Sequence, residues 1–152
     1  MKRWGMLFMA ISAMFAVSAV FAFALPAGAG GGRPLVAELS GAQEVPPADP
    51  DGSGTATFSV NPGIGEICFT VTSENITLPV VAAHINPGEA GAVGSPLVFL
   101  LAADVSDADG NFSGCTTVDH ATAKDILKRP SAYYVNLHTT DFPGGAIRGQ
   151  LA

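Results

Sequence analysis

The amino-acid sequence predicts an all-β protein, an antiparallel sandwich or flattened barrel with one short helix near residues 119–129. Short apolar or alternating runs recur along the chain, and Gly, Pro, Asn or Asp residues separate them. The 18 Gly and 11 Pro residues are too many and too widely spread for a helical bundle. A body of about 120 residues holds one hydrophobic core but not two, so the sequence predicts a single domain.

Seven segments are predicted to be strands because each is apolar or alternating and is bounded by turn residues. They are Leu35–Leu39, Gly54–Val60, Glu66–Thr72, Val80–Asn86, Leu97–Ala102, Tyr133–Thr139 and Ala146–Leu151. The segment Leu97–Ala102 is apolar throughout, so it is expected to be fully buried. Residues 110–114 are expected to form a turn that comes just before Cys115.

The segment Asp119–Arg129 is the one predicted helix. Thr117 or Asp119 can cap its amino-terminal end, and Ile126 gives it an apolar side. Pro130 prevents the helix from continuing.

Residues 1–29 have the features of a signal peptide. Lys2 and Arg3 precede residues 5–25, of which 18 of 21 are apolar. Small-x-small patterns at 22–24 and 27–29 predict a mature chain that begins near Leu25 or Gly30. Because the apolar run approaches the ~20 residues that span a bilayer, an uncleaved anchor is the alternative. Residues 30–34 then form a Gly-rich linker, and residues 35–152 form a domain that is secreted, extracellular or held in the cell envelope.

The charge of the chain limits its partners. The formal net charge is −6, and without Lys2 and Arg3 five basic residues face thirteen acidic ones, a net charge of −8. Nucleic-acid binding needs several Lys or Arg residues that converge on the phosphates. We therefore expect that this protein does not bind nucleic acid. Contact with a membrane is expected only through the amino-terminal segment, if it stays uncleaved. The expected partner is an extracellular protein or surface ligand that the sequence does not identify.

Cys68 and Cys115 are the two cysteines of the chain. An even number of cysteines in an exported protein predicts a disulfide bond. Metal binding by the two thiols is the weaker alternative.

The motifs of the common enzyme classes are missing from the sequence. There is no G-x-S-x-G elbow, P-loop, Rossmann glycine signature or H-E-x-x-H. We therefore predict that the protein is not an enzyme, with paired carboxylates for glycoside hydrolysis as the alternative that the sequence leaves open. The acidic segment 104–110 departs from the EF-hand spacing, so a solvated turn is preferred there over a calcium site.

Three segments of the chain together resemble the CHRD domain family, first described in chordin and widespread in secreted bacterial proteins. They are LSGAQEVPP at 39–47 with GSGTA at 52–56, AAHI at 82–85 followed by Gly88, Gly91, Gly94 and Pro96, and YYVNLHT at 133–139 through FPGGAIRGQL at 142–151. The resemblance implies an immunoglobulin-like or Greek-key β fold over residues 35–152. The resemblance implies no activity, because single-domain bacterial members have no established activity that could be assigned to this chain. The cysteine-rich modules that accompany the domain in chordin are absent from this sequence, so antagonism of growth factors does not transfer.

The sequence departs from similar members where they often read His-Ile-His, because it has His84-Ile85-Asn86. With one imidazole missing, this strand does not supply the two histidine ligands of a His-x-His metal site. Copper–zinc superoxide dismutase has a comparable sandwich and a similar His-x-His. Its two metals need more histidines than the three in this chain, which excludes that chemistry.

His84 and His138 are nevertheless the candidate metal ligands. Strand alternation puts His84 with Asn86, and Asn136 with His138, on polar faces. If the two strands are neighbours, the imidazoles share a hydrogen-bond network or a weak copper or zinc site. His120, at the start of the helix, is expected to be a surface residue.

Glu44 and Arg148 are expected to form an ion pair, because a guanidinium on an apolar strand needs a carboxylate partner. Asp141 is the competing acceptor, and exposure of Arg148 to solvent is the other alternative. Altogether the sequence predicts an exported binding or structural module without a cofactor, and a weak copper- or zinc-binding envelope protein is the second hypothesis.

Overall fold

The computed structural model describes residues 31–101 and 108–152. The predicted signal peptide lies outside these residues, as do Asp104 and Asp107 of the acidic segment, so the leader and calcium hypotheses stay predictions. No helix in the described ranges has the length and apolar character needed to span a membrane.

Eight strands and one α-helix make up the described part of the chain. In order, they are β1 (Arg33–Ser40), β2 (Ser53–Asn61), β3 (Glu66–Glu74), β4 (Val80–Pro87), β5 (Val98–Leu101), β6 (Phe112–Thr117), α1 (His120–Lys128), β7 (Tyr133–Thr139) and β8 (Ile147–Gln150). Two single-turn 3₁₀ helices, Gly41–Gln43 and Pro130–Ala132, follow β1 and precede β7.

All eight strands belong to one antiparallel sheet in the order β5-β4-β7-β8-β1-β2-β3-β6. The sheet curls until its edge strands, β5 and β6, are neighbours without pairing. The protein is therefore a nearly closed barrel, which confirms the predicted fold class in its flattened-barrel form. The unpaired junction of β5 and β6 is called the seam below.

The core fills the inside of this barrel, because alternate residues of each strand point to one face. On β7 the inward residues are Tyr133, Val135 and Leu137, as the alternation predicts. On β4 a register shift between Val80 and Ala82 breaks the alternation. Val80 is consequently buried in the core, whereas Val81, which the alternation assigned to that face, is only half-buried.

Two strand predictions were wrong in detail. A turn was expected at residues 110–114, but β6 begins at Phe112. Ser113 and Gly114 have little strand propensity of their own, and pairing with β3 across six register positions makes them extended. The predicted burial of all of 97–102 was also wrong, since the Phe99 side chain is 62% exposed.

The predicted helix is confirmed, and Asp119 is its cap. The Asp119 carboxylate accepts a hydrogen bond from the Thr122 backbone N–H at 2.8 Å. Ile126 is buried in the core, which fixes the apolar side of the helix against the barrel. The chain leaves the helix at Arg129, immediately before Pro130.

The predicted disulfide between Cys68 and Cys115 is also confirmed. The two residues are direct partners in the register of β3 and β6. The bond therefore ties the edge strand β6 to the sheet.

Candidate functional site

The structure brings His84 and His138 together. Strands β4 and β7 are paired, with His84 opposite Asn136 and His138 opposite Ala82. The two histidines are diagonal neighbours on the outer face, and their ring centres are 4.8 Å apart. This pair, whose proximity the sequence analysis made conditional on neighbouring strands, is called the histidine pair.

The hydrogen bond of His138 defines its tautomer. Its Nδ1 lies 3.0 Å from the carbonyl oxygen of Pro143. A carbonyl oxygen only accepts, so Nδ1 carries the proton and Nε2 carries the lone pair. Within the described part of the chain, this buried Nε2 has no hydrogen-bond partner. An imidazole oriented by a backbone carbonyl, with its other nitrogen free, is the usual arrangement of a histidine that binds a metal.

His84 is more deeply buried, with 8% of its surface exposed. Its ring contacts the ring of His138, and it also contacts the ring of Phe99, whose centre is 5.2 Å away in an edge-on arrangement. The buried Nδ1 of His84 also lacks a hydrogen-bond partner among the described residues.

Both imidazoles are held in the neutral form. Burial lowers the pKa of His84 below 6.5, and repulsion from His138 lowers it further, while contact with Asn136 partly opposes both effects. Burial likewise lowers the pKa of His138, and its bond to the Pro143 carbonyl opposes the shift. Neutral imidazole is the form that binds metals, so neither ring has to lose a proton at neutral pH.

Asn136 connects the histidine pair to the rest of a buried polar cluster. Its side-chain oxygen accepts a hydrogen bond of 2.8 Å from the Asn86 amide. Its side chain also contacts both His84 and Glu44. Asn86 Oδ1 and Glu44 Oε1 are buried without a hydrogen-bond partner in the described ranges. A native protein rarely leaves such atoms unsatisfied, so this cluster has the polar character of a binding site.

Glu44 reaches the cluster from the segment that follows β1. Gly145 lies beside this carboxylate with a φ of +130°, a backbone conformation that residues with a Cβ atom rarely adopt, so glycine is favoured at this close approach. Burial raises the pKa of Glu44, and contact with Asn136 and attraction to Arg148 only partly offset this effect.

Arg148 is buried, with 2% of its surface exposed, so the solvent-exposed alternative was wrong. The expected ion pair was also wrong in its direct form. The guanidinium donates to the carbonyl oxygens of Ala92 and Glu89, at 2.7 and 3.0 Å, and stacks over the ring of Tyr134 at 3.4 Å. Within the described ranges its attraction to Glu44 is Coulombic, without a hydrogen bond. The loop at residues 88–96 lies against β8, and its carbonyl oxygens accept the donors of Arg148 and Gln150.

The third histidine of the chain, His120, lies outside the cluster. His120 is exposed, as predicted, and its Nδ1 is 2.7 Å from the Pro62 carbonyl oxygen. Among the described residues, no third His, Cys, Asp or Glu places a ligand atom close to both rings of the histidine pair.

The one close group of three such residues in the described ranges consists of Glu66, Cys68 and Cys115. Sequence reasoning missed Glu66, although its position two residues before Cys68 on a predicted strand was a signal for a shared face. It also missed the role of Asn136, which depends on strand order.

Comparison with known proteins gives one result. A family model described as the CHRD domain matches residues 35–151. The comparisons with curated proteins and with solved structures found no match.

Proposed function

Since this chain belongs to the CHRD domain family, we propose that it is an exported, extracellular or cell-envelope binding module rather than an enzyme. The disulfide supports an oxidising compartment outside the cytoplasm. The family is a non-enzymatic one, and the buried polar cluster offers a place where a ligand could bind. A ligand in the cluster would satisfy atoms that the described residues leave without partners.

As the specific ligand we propose Cu²⁺ or Zn²⁺, bound by the histidine pair through His84 Nδ1 and His138 Nε2. The observation that carries this assignment is the pair of buried, unpartnered nitrogens on rings 4.8 Å apart. An ion about 2 Å from one nitrogen of each ring would put the ring centres about 4.5–5 Å apart at an ordinary coordination angle. Imidazole suits both metals, and water or an amide oxygen would fill the remaining positions.

Because only two protein side chains would bind the ion, we expect the affinity for the metal to be low. Isothermal titration of the metal-free protein with Cu²⁺ and Zn²⁺ should show one ion bound per chain. His84→Ala and His138→Ala should each weaken binding by at least about tenfold, since loss of even an outer-sphere partner costs that much.

His120→Ala is the matched control, because it removes an exposed imidazole that lies outside the cluster. Its titration should match that of the wild type. The metal assignment fails if wild-type protein binds neither ion, or if binding survives both substitutions in the histidine pair. Either result would leave the coarser proposal of a binding module in place.

A further inference from the structure

We propose that Glu66, Cys68 and Cys115 form a second, redox-gated metal site, which binds a thiophilic divalent ion such as Zn²⁺ once the disulfide is reduced. This site lies on β3 and β6, strands that pair with neither β4 nor β7. Its ligands differ from those of the histidine pair, and only this site depends on the redox state of the cysteines, so the two proposals stand independently.

The sheet register holds the three ligands together. Glu66 and Cys68 are two residues apart on β3, so their side chains leave the same face of the strand. Cys115 is the direct partner of Cys68 on β6. One carboxylate oxygen and the two sulfurs lie within 4.8 Å of one another. Neighbouring ligand atoms of a tetrahedral zinc ion are about 3.5–4 Å apart, so rotation of these side chains is enough to bring them into place.

The strands should keep this arrangement without the covalent bond. Strand β6 pairs with β3 over six register positions, from Glu66–Thr117 to Val71–Phe112. On the inner face the rings of Phe69 and Phe112 make an edge contact with centres 6.1 Å apart. Both rings belong to the core cluster, so hydrogen bonding and packing hold β6 after reduction.

The disulfide is open to reduction. Cys115 is exposed, Cys68 and Glu66 are half-buried, and β6 is an edge strand. A thiolate of a dithiol reductant attacks Cys115 Sγ and forms a mixed disulfide, while Cys68 leaves and takes up a proton. The second thiol of the reductant then displaces Cys115. The reductant ends as a disulfide, and the protein holds two thiols, each with one proton.

Metal binding then exchanges protons for the ion. The two thiols lose about two protons in total, and the resulting thiolates with the Glu66 carboxylate supply three ligands. Water would take the fourth position of a tetrahedral zinc ion, as in sites with three protein ligands. In the oxidised protein both sulfurs are tied to each other, so this site is closed.

The test compares oxidised and reduced protein. Wild-type protein is reduced with a phosphine, desalted without oxygen and titrated with Zn²⁺, and native mass spectrometry counts the ions bound. Reduction should add one Zn²⁺ per chain beyond the number that the oxidised protein binds. A reduced protein that unfolds, judged by circular dichroism, or one that gains no ion would overturn the proposal.

Variants separate the ligands from the fold. Cys115→Ser should lose the additional ion. Glu66→Gln keeps both cysteines and should weaken binding of the additional Zn²⁺ by at least about tenfold. Glu74→Gln is the matched control, because it changes an exposed glutamate at the other end of the same strand. If reduced Glu66→Gln and reduced Glu74→Gln bind the additional Zn²⁺ with equal affinity, the proposal of a three-ligand site is overturned.

Discussion

At the scale of single residues, the buried polar cluster makes folding stability depend on pH. The pKa values of His84 and His138 are both lowered from 6.5, mainly by burial. The unfolded chain therefore binds protons at a higher pH than the folded chain does. The contribution of these residues is fully present above about pH 6.5 and is lost as the pH falls through their folded pKa values.

We accordingly predict that the free energy of unfolding of metal-free protein falls as the pH is lowered below about 6.5. Urea denaturation across this range should show a smaller loss for His84→Gln and for His138→Gln than for the wild type. The exposed His120→Gln is the control and should follow the wild type. Unchanged pH dependence in both cluster variants would contradict the prediction.

Glu44 acts with the opposite sign, which offers a second check on the same cluster. Burial raises its pKa, so its contribution to stability is present at acidic pH and is lost as the pH rises through the folded value. In Glu44→Gln this carboxyl group is absent, so the variant lacks the stability that Glu44 adds as the pH falls. The acid loss of stability should therefore be steeper in that variant than in the wild type.

At the scale of single elements, α1 depends on the core more than on its own sequence. A helix of nine residues is too short to be stable alone. Its cap at Asp119 satisfies one of its free backbone N–H groups, and Ile126 anchors it in the barrel. Packing of its buried side chains, Ala123 and Ile126, against the barrel supplies what the short helix lacks.

Ile126→Ala should lower the free energy of unfolding by about 2–4 kcal/mol, because it leaves a cavity under the helix. Urea denaturation measures the change. Ile64→Ala is the control: this side chain is 60% exposed, and its truncation should cost no more than about 0.5 kcal/mol. Similar losses in the two variants would show that α1 is not held by the core.

The disulfide lies on β6, a strand whose conformation depends on its pairing with β3. The number of cysteines alone predicts the bond, although no local pattern predicts β6. Strand β6 has a Ser-Gly pair in its first half, and local propensity predicts a turn there. Pairing with β3 reverses this preference. The same pairing also brings Glu66 near the two sulfurs, which no count of cysteines predicts.

At the scale of the whole molecule, the seam is where the hydrogen bonding of the barrel is interrupted. A cavity of about 300 Å³ opens along it, lined by Leu97, Phe99, Thr116, Val118 and Thr122 among others. Strands β5 and β6 each pair on one side only, whereas β7 pairs with β4 and β8 on both sides. The barrel should open first where its hydrogen bonds are fewest.

Amide hydrogen exchange followed by NMR checks this expectation. Amides of β5 and β6 should exchange faster than those of Val135 and Leu137 in β7, which are fully buried. Reduction of the disulfide should speed exchange in β6 more than in β5, because the bond ties β6 to β3. Uniform protection across all eight strands would contradict a seam of lower stability.

By itself, the sequence determined the local features of this protein: the class of fold, the position of seven strands and the helix, and the disulfide. Each follows from a signal within a few residues, or from the number of cysteines in an exported chain. The sequence left the helix cap open between Thr117 and Asp119. The histidine pair could be predicted only conditionally, since alternation gives the face of a residue but not the neighbour of its strand.

Only the tertiary structure decided strand order, the place of Arg148 and the composition of the polar cluster. Asn136 meets His84 because β4 and β7 are adjacent, although about fifty residues of chain separate them. Arg148 turns to loop carbonyls instead of the carboxylate of Glu44, because the 88–96 loop folds over β8. These contacts depend on how the sheet closes, and that closure is a balance of packing over the whole core which no short segment encodes.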